Sequence, residues 1–319
     1  MNVILAGSYP KGTYEKISAG LPDGYALRAV ADADEFAAMT DAEIIIMRVF
    51  KAPRNVIENN AKLKMIMRWG AGLDSVDVKA AGERGIYVTN TPGANAGAVS
   101  ELTLMLMLAV GRKLLCHVDS LRRGVWSKTL FIDSSFCLAG KTVGIIGGGN
   151  IGRQVAAKVR AFGARAIYYD AFRLPPEREA ACGMEYAPLG ELLAASDIVT
   201  LHVPLLDSTR RMIGAKQIAS MKDGAILINA ARGGLVDEDA LLAAVKSGHI
   251  AGAGIDCPEH EPLKAGDPLL AEPNIIVTPH VGGGTADLGE FMIPMLLEDL
   301  RAFASGGAPI RLANKDFLK

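Results

Sequence analysis

Short apolar runs alternate with polar or amphipathic stretches along most of the chain. Each run is short enough for a strand, and helix-compatible sequence separates it from the next. Alternation of this kind predicts a parallel sheet with helices on both faces. The runs form two series, and we therefore predict two α/β lobes. The first series is NVILAG, AEIIIMRV, KMIMRWG and GIYVTNTP; the second is KTVGIIGG, ARAIYYD, SDIVTLHVP, GAILINAA, GAGID and NIIVTPHVGG.

The boundary between the lobes follows from the helical segments. Ala98–Leu115 predicts one long helix that crosses from the first series to the second. The second series ends near Gly284, and a further helix is predicted through about Ala304, which could return to the first lobe. A cleft between two lobes is a common place for a ligand. We therefore predict a discontinuous domain and an inserted continuous one, with bounds 1–98 plus 287–319 and 99–286.

A glycine-rich segment, VGIIGGGNIG (Val143–Gly152), lies between a strand candidate and a helical pattern. Gly147, Gly149 and Gly152 have the GxGxxG spacing. In this context the first glycine permits a tight turn, the second lets the backbone approach a pyrophosphate, and the third lets helix and strand pack closely. Helical periodicity begins at Gly152, and the free N–H groups at this helix start would face the phosphates; Asn150 and Ile151, in the turn before it, are expected cofactor contacts. The alternative is a packing turn without a ligand.

An acidic residue follows the next strand. AIYYD ends in Asp170, eighteen residues after Gly152. A carboxylate there can accept hydrogen bonds from the adenosine ribose and would repel a 2′-phosphate. The pattern therefore predicts NAD rather than NADP, although Arg173 is a nearby cation that could accept the phosphate instead.

The ends of the later strands carry residues suited to hydride transfer, the reaction that a bound dinucleotide most often implies. Such a reaction needs a proton donor for the substrate oxygen and a cation for the substrate itself. Arg232 follows one buried strand, Asp256 with Glu259 and Glu261 follows the next, and His280 follows the last. In open α/β sheets, ligands bind beyond these carboxyl ends.

Composition excludes several other classes. The 319 residues are 50% hydrophobic and 22% charged with a net charge of −1, which gives no basic field for nucleic acid. LTLMLMLAVG is about half of a membrane span, and the N-terminus lacks a leader pattern. The four cysteines are far apart with no CxxC motif, which predicts free thiols, no metal and a reducing, cytoplasmic location. They are Cys116, Cys137, Cys182 and Cys257.

From about Ile44 to Thr285 the sequence resembles the NAD-dependent D-isomer-specific 2-hydroxyacid dehydrogenases, which include D-3-phosphoglycerate, D-lactate and glycerate dehydrogenases. The order, spacing and residue type of several stretches carry this resemblance. It implies two lobes of Rossmann-like and flavodoxin-like type, a discontinuous substrate domain and an NAD-binding domain. The matching stretches are RWGAGLDSVD, VTNTPGANAGAVSEL, VGIIGGGNIGRQVA, LHVPLLDSTRRMIG, NAARGGLVDEDAL, GAGIDCPEHEPL and TPHVGGGT.

The resemblance implies a catalytic trio. The arginine of the family's ARG motif falls on Arg232, the glutamate before proline on Glu261, and the histidine of TPH on His280. Arg232 would pair with the substrate carboxylate, which a planar guanidinium does better than lysine. His280 would exchange a proton with the substrate oxygen, and Glu261 would fix its ring and favour the imidazolium form.

The resemblance also implies binding residues and an assembly. Asp256 would contact the nicotinamide side of the cofactor, and backbone near Ala71 and Gly72 would face the substrate carboxylate. The family forms dimers through the cofactor lobe, and the helix near Val99–Leu115 with the following LRRGVWSK segment is a plausible contact. Further residues expected along the cofactor cleft are Val203, Pro204 and Ala230.

The identity of the 2-hydroxy acid stays open at this stage. Arg48 and Arg68 stand where phosphoglycerate dehydrogenases have cations for the substrate phosphate, and Trp69 occupies a position that is usually small, where it could narrow the pocket. Glyoxylate, hydroxypyruvate and bulkier keto acids are the other candidates. Two further alternatives are an NAD(H)-sensing binding protein on the same fold and an enzyme that oxidises formate or phosphite. Glu261 in place of a glutamine counts against formate.

Overall fold

The computed structural model describes residues 1–318, which fold into two compact units. The first unit contains Met1–Asn95 and the segment that begins at Thr285, and the second contains Ala96–Gly284.

The first unit is a five-stranded parallel sheet with helices on both faces. Its strand order is β2-β1-β3-β4-β5, as in flavodoxin-like folds. Its strands are β1 (Asn2–Ala6), β2 (Ala26–Val30), β3 (Ile44–Met47), β4 (Met65–Arg68) and β5 (Tyr87–Thr89). Its helices are α1 (Thr13–Gly20), α2 (Ala33–Ala38), α3 (Arg54–Asn59), α4 (Val78–Glu83) and, after the second unit, α13 (Gly289–Ala304).

Burial on both faces explains why the strands of this sheet are continuous apolar runs. All four residues of β3 are buried. Successive side chains of a strand point to opposite faces, so Ile45 and Met47 join one hydrophobic cluster. Ile44 and Ile46 join the other, which α13 covers.

The second unit is a seven-stranded parallel sheet with the order β12-β11-β10-β9-β6-β7-β8, the Rossmann order with one extra strand. Its strands are β6 (Thr142–Ile146), β7 (Arg165–Tyr169), β8 (Glu185–Tyr186), β9 (Ile198–Leu201), β10 (Ala225–Asn229), β11 (Ile250–Ile255) and β12 (Ile275–Val277). Its helices are α5 (Ala96–Gly111), α6 (Leu114–Arg122), α7 (Asn150–Ala161), α8 (Pro176–Cys182), α9 (Leu189–Ala195), α10 (Ala215–Ala219), α11 (Glu238–Ser247) and α12 (Pro268–Ala271).

The predicted strands and the predicted fold class are confirmed, but two strands lacked a sequence signal. Strand β2 is an edge strand with only Val30 buried, so it has no apolar run, and β8 has two residues. The prediction of one helix over Ala98–Leu115 is wrong at its C-terminal end. The helix stops at Gly111, and Lys113 has a left-handed conformation (φ 51°) before α6 begins.

Lys113 explains this break. Its ammonium group donates to the Ala251 carbonyl at 2.7 Å and to the Asn274 side chain at 2.8 Å. Burial lowers the pKa of this lysine, and the two acceptors satisfy the charge. The contact fixes the chain in a turn that a straight helix could not make.

Candidate active site

The glycine segment forms the turn between β6 and α7. At Gly147 φ is 110°, and a side chain would meet the His202 carbonyl oxygen at 2.6 Å. At Gly152 a Cβ would lie 2.0 Å from the Gly147 carbonyl oxygen, so helix and turn pack in direct backbone contact. At Gly149 a Cβ would meet nothing within 4 Å. Gly147 and Gly152 are therefore required by the fold, whereas Gly149 leaves open space.

This open space lies at the N-terminus of α7. Gly149 is the N-cap residue and offers no side chain to the first backbone N–H groups, and the Asn150 side chain bonds Arg153 instead. Helix N-terminal N–H groups attract phosphate. The open space at Gly149 lets a ligand approach the backbone closely, and the N–H groups of α7 follow directly. The turn therefore fits the pyrophosphate of a dinucleotide. Ile151 and Gly152 belong to the same first turn.

Asp170 lies beside this turn, directly after β7. Its carboxylate accepts the Gly148 N–H at 2.8 Å and the Phe172 N–H at 3.0 Å, and it is half-buried. Each carboxylate oxygen has two lone pairs, so Asp170 can still accept ribose hydroxyls. Arg173 is held by both oxygens of Glu179, at 2.8 and 3.1 Å, and lies over the Tyr186 ring. This pairing engages the cation that could otherwise bind a 2′-phosphate.

The segment after β9 forms the neighbouring edge. Val203 is half-buried, and Pro204 is exposed with its carbonyl accepting the Thr209 hydroxyl at 2.7 Å. His202 lies between β9 and this edge. Its Nε2 is 3.0 Å from the Thr200 hydroxyl, and its buried Nδ1 has no hydrogen-bond partner among the described residues. Burial lowers the pKa of His202 to about 3, so this histidine is neutral.

Arg232 lies in the turn after β10, which its own neighbours shape. The Asn229 side chain accepts the Ala231 N–H at 3.2 Å and donates to the Arg232 carbonyl at 2.8 Å. The Arg232 guanidinium donates to the Ala231 carbonyl at 2.7 Å, and Ala230 is buried under the turn. A Cβ at Gly233 would meet the Pro258 carbonyl oxygen at 2.2 Å, so the turn lies directly against the segment after β11.

His280 and Glu261 form a bonded pair. Nδ1 of His280 lies 3.0 Å from both carboxylate oxygens of Glu261. The two side chains are 44% and 43% exposed, so the pair faces solvent. With Nδ1 engaged, Nε2 is the nitrogen that can exchange a proton with another molecule.

Asp256 holds the segment that carries His280. This buried carboxylate accepts the Thr278 hydroxyl at 2.6 Å, and the Val281 and Gly282 N–H groups, each at 2.9 Å. The N–H of His280 bonds to the Asp256 and Thr278 carbonyls, each at 2.9 Å. His280 has φ 53°, in the left-handed backbone region that residues other than glycine rarely adopt. The bonds to Asp256 therefore hold His280 in a conformation it would not adopt alone.

Cys257, which sequence reasoning did not single out, lies beside two residues of the predicted trio. Its sulfur, a Glu261 oxygen and a His280 ring nitrogen all lie within 4.8 Å of one another. Burial and the carboxylates of Asp256 and Glu261 raise the pKa of its thiol, and Arg232 acts in the opposite direction. Glu261 and His280 therefore adjoin one buried sulfur, and the charge of Arg232 acts on the same thiol.

The remaining predicted residues lie in the first unit. The Arg48 guanidinium donates to the Ser8 carbonyl at 2.9 Å, and the Arg68 guanidinium donates to the Met47 and Trp69 carbonyls. Both cations lie close enough to lower the pKa of Tyr9, although burial raises it further. The sequence did not suggest Tyr9, but the charges of both arginines act on its hydroxyl.

Trp69 is a core residue of the first unit. It is 3% exposed, belongs to the hydrophobic cluster under α13, and meets Tyr9 edge to face at 5.1 Å. The turn after it is fixed by the Gly70 N–H bond to the Thr91 hydroxyl and by the Asn90 bond to the Ala71 carbonyl. Within the described chain, the N–H groups of Ala71 and Gly72 donate no hydrogen bond.

The second unit has parallel strands in the Rossmann order and a glycine turn that fits a pyrophosphate, with a carboxylate beside it. Together with the histidine–glutamate pair, these features are those of an NAD-dependent oxidoreductase. No helix within residues 1–318 combines the length and apolar character needed to cross a membrane. All four cysteines are free.

Comparison with known proteins gives the family. Residues 104–282 match the description "D-isomer specific 2-hydroxyacid dehydrogenase, NAD binding domain". The chain is 40% identical to a glyoxylate reductase of Thermococcus litoralis, over 93% of this chain and 88% of that one. It is 43% identical to a hydroxypyruvate reductase of Thermotoga maritima, over 77% of this chain and 80% of that one. The solved structure of a glyoxylate reductase from Paecilomyes thermophila covers 99% of each chain with 33% identity and a TM-score of 0.85. The chain belongs to the D-isomer specific 2-hydroxyacid dehydrogenase family.

Proposed function

We propose that this chain reduces short 2-keto acids, glyoxylate and hydroxypyruvate, to the corresponding D-2-hydroxy acids with NADH. The observation that carries the proposal is the His280–Glu261 pair, with Nδ1 3.0 Å from the carboxylate. NADH, when bound, supplies the hydride. The second unit is proposed as the cofactor domain and the first, discontinuous unit as the substrate domain.

Substrate binding, proton transfer and orientation of the histidine ring fall to separate residues. Arg232 binds the substrate carboxylate through its planar guanidinium and polarises the adjacent keto oxygen. His280 donates the proton on Nε2 to that oxygen during reduction and removes it during oxidation. Glu261 orients the ring by accepting the hydrogen bond from Nδ1. The N–H groups of Ala71 and Gly72, which have no acceptor within the described chain, are proposed as further donors to the substrate carboxylate.

The cofactor residues have separate proposed tasks. The first-turn N–H groups of α7 bind the pyrophosphate and Asp170 accepts the ribose hydroxyls. Asp256 is proposed to face the nicotinamide side while it holds the His280 segment. The other proposed cofactor contacts are Gly147, Gly149, Asn150, Ile151, Gly152, Val203, Pro204 and Ala230.

The contacts of the two arginines support a short substrate. Arg48 and Arg68 both donate to backbone carbonyls, which favours a role in shaping the first unit over a role as phosphate ligands. The glyoxylate and hydroxypyruvate reductases named above match over most of both chains, in line with this choice. The alternative is a phosphorylated substrate, and the test below distinguishes the two.

The test follows NADH absorbance with a panel of glyoxylate, hydroxypyruvate and phosphohydroxypyruvate. We expect the highest kcat/KM with the two unphosphorylated acids. A His280→Gln variant should lose roughly 10²- to 10⁴-fold in kcat, the usual value of a general acid. His260→Gln, which changes an exposed histidine nearby, is the matched control. Preference for the phosphorylated acid would overturn the substrate class. No turnover with any acid, with NADH binding intact, would instead favour an NAD(H)-sensing protein.

We further propose a homodimer formed through α6 and the segment that follows it. This surface exposes several large apolar side chains, and Trp126 is 81% exposed. Contiguous apolar surface of this kind marks an interaction site. A Trp126→Glu variant should sediment as a monomer, whereas Ile310→Glu, at an exposed apolar residue of the other unit, should not change the mass. A monomeric parent protein would refute the proposal. The other exposed members are Leu114, Leu115, Leu121, Val125, Leu130 and Ile132.

A cytoplasmic location is also proposed, and it is supported by the four free thiols. Alkylation of the protein from unreduced cells, followed by mass measurement, should label all four cysteines. Recovery of a disulfide-linked pair would contradict this location.

A further inference from the structure

Three side chains with different metal-binding atoms meet at the end of β11. The Cys257 sulfur, a carboxylate oxygen of Glu261 and a ring nitrogen of His280 lie within 4.8 Å of one another. They come from separate positions on two segments, so the cluster is visible only in the folded chain. Ligands at about 2.0–2.3 Å from a tetrahedral zinc ion lie roughly 3.5 Å apart. Side-chain movements of about 1 Å would therefore bring the three atoms to ligand positions.

The chemistry of the three atoms selects the kind of metal. Thiolate and imidazole are preferred by zinc and other soft or borderline ions, whereas magnesium and calcium require oxygen ligands. A set of one sulfur, one nitrogen and one oxygen therefore favours Zn²⁺, with Cd²⁺ as its soft analogue. Three protein ligands also leave a fourth position for water.

The surroundings allow an ion to enter. The thiol is buried, with Cys257 1% exposed, but the other two ligands face solvent with side-chain exposures of 43% and 44%. The nearest charges include the Asp256 and Glu261 carboxylates and one guanidinium, that of Arg232. Two carboxylates against one cation favour a divalent ion.

We propose that Cys257, Glu261 and His280 form a zinc-type metal site that inhibits the enzyme when it is occupied. Binding releases the thiol proton to solvent. The proton that Nδ1 donates to Glu261 also leaves that nitrogen: it goes to solvent from the charged ring, or moves to Nε2 in the neutral ring, and the metal takes the Nδ1 lone pair that is left. The proton of the neutral ring then resides on Nε2, and the ring can no longer accept a second proton. His280 thereby loses the change of charge that proton exchange requires. The inhibition, though not the binding, rests on the proposed function.

Binding can be tested without activity. Cd²⁺ titrated into protein freed of metal should produce a sulfur-to-cadmium absorption band at one ion per chain. The decisive variant replaces Cys116, Cys137 and Cys182 with serine and keeps Cys257 as the sole thiol. It should retain the band with full stoichiometry. Cys257→Ser, which nearly preserves the side-chain volume, should abolish it. Absence of the band in the triple variant, or its persistence in Cys257→Ser, would overturn the site.

Inhibition is tested in parallel with Zn²⁺ and a chelator. Each variant is compared with its own rate in the absence of metal, so a change in basal activity does not matter. Loss of a first ligand should raise the half-inhibitory Zn²⁺ concentration at least about 100-fold in Cys257→Ser, because outer contacts alone are worth 10- to 100-fold. The triple variant should be inhibited like the parent, and a chelator should restore both. Equal inhibition of the parent and Cys257→Ser would refute the inhibitory role. If no acid is turned over, the cadmium band still decides whether the site exists.

The pH dependence gives a second criterion. The metal must displace a proton from the buried thiol, so its apparent affinity should rise with pH. An affinity that is unchanged or falls as pH rises would exclude the thiolate as a ligand.

Discussion

Replacement of Asp256 by asparagine tests how the His280 segment is held. The Asp256 carboxylate accepts three hydrogen bonds, from the Thr278 hydroxyl and the Val281 and Gly282 N–H groups. Asparagine keeps one oxygen and replaces the other with an NH₂ group. If the oxygen faces Thr278 and Val281, the NH₂ group faces the Gly282 N–H, so two donors oppose each other. The reverse orientation loses two bonds rather than one.

The magnitude follows from the first orientation, which is the less costly. A hydrogen bond to a charged group is worth about 1.5–3 kcal/mol, and a buried N–H left without an acceptor costs about 1–3 kcal/mol. We therefore expect Asp256→Asn to destabilise the second unit by roughly 2.5–6 kcal/mol. Displacement of His280 by as little as 1 Å can reduce kcat about 10²-fold.

The assay combines kinetics with local exchange. Asp256→Asn should lower kcat and speed hydrogen exchange at the Val281 and Gly282 amides, with a lower unfolding temperature. Thr278→Val is the matched control: it removes one donor to the carboxylate and leaves both N–H bonds with no two donors opposed, so it should cost about 1.5–3 kcal/mol, less than Asp256→Asn. Unchanged exchange and kcat in Asp256→Asn, or equal damage in Thr278→Val, would refute the reasoning.

Three further predictions concern the cofactor side. Gly149→Ala should weaken NADH binding, measured by fluorescence titration, with little change in unfolding temperature, whereas Gly152→Ala should lower the unfolding temperature because its Cβ would lie 2.0 Å from a carbonyl oxygen. Glu179→Gln should release Arg173 and raise kcat/KM with NADPH relative to NADH. Below its ordinary pKa of 6.5, His202 binds a proton only in the unfolded chain, because its folded pKa is about 3. The free energy of unfolding should therefore fall by about 1.4 kcal/mol per pH unit from pH 6.5 towards 3, and His202→Asn should remove this part of the acid sensitivity.

Each of these has an outcome that contradicts it. Equal loss of stability in the two glycine variants would show that Gly149 also contributes to packing. An unchanged cofactor ratio in Glu179→Gln would show that Arg173 does not approach the 2′ position. Parallel acid unfolding of His202→Asn and the parent would place the acid-sensitive group elsewhere, and denaturation scans at pH 7 and pH 5 make this comparison.

Most of the framework could be predicted because it depends on local pattern. The buried strands are apolar on both faces, and Gly147, Gly149 and Gly152 have a fixed spacing in the sequence. The end of α5 could not be predicted, since it depends on Lys113 reaching the Ala251 carbonyl, 138 residues away in sequence. Helical periodicity contains no information about such a contact.

The candidate site divides in the same way. Arg232, Glu261 and His280 follow predictable strand ends, and parallel strands bring such ends to one edge. The bonds of Asp256 to the His280 segment and the position of Cys257 depend on how two loops pack. The burial of Trp69 under α13 was likewise not predictable, because it is a property of the folded unit.

The separation of the candidate residues between the two units has an evolutionary consequence. The glycine turn, Arg232, Glu261 and His280 all lie within Ala96–Gly284, whereas Arg48, Arg68 and the turn at Ala71 lie outside it. Gene fragments exchanged at these boundaries would carry the proposed cofactor and catalytic residues together into a chain with a different proposed substrate domain. Proteins that descend from such exchanges would therefore act on different acids by the same reaction.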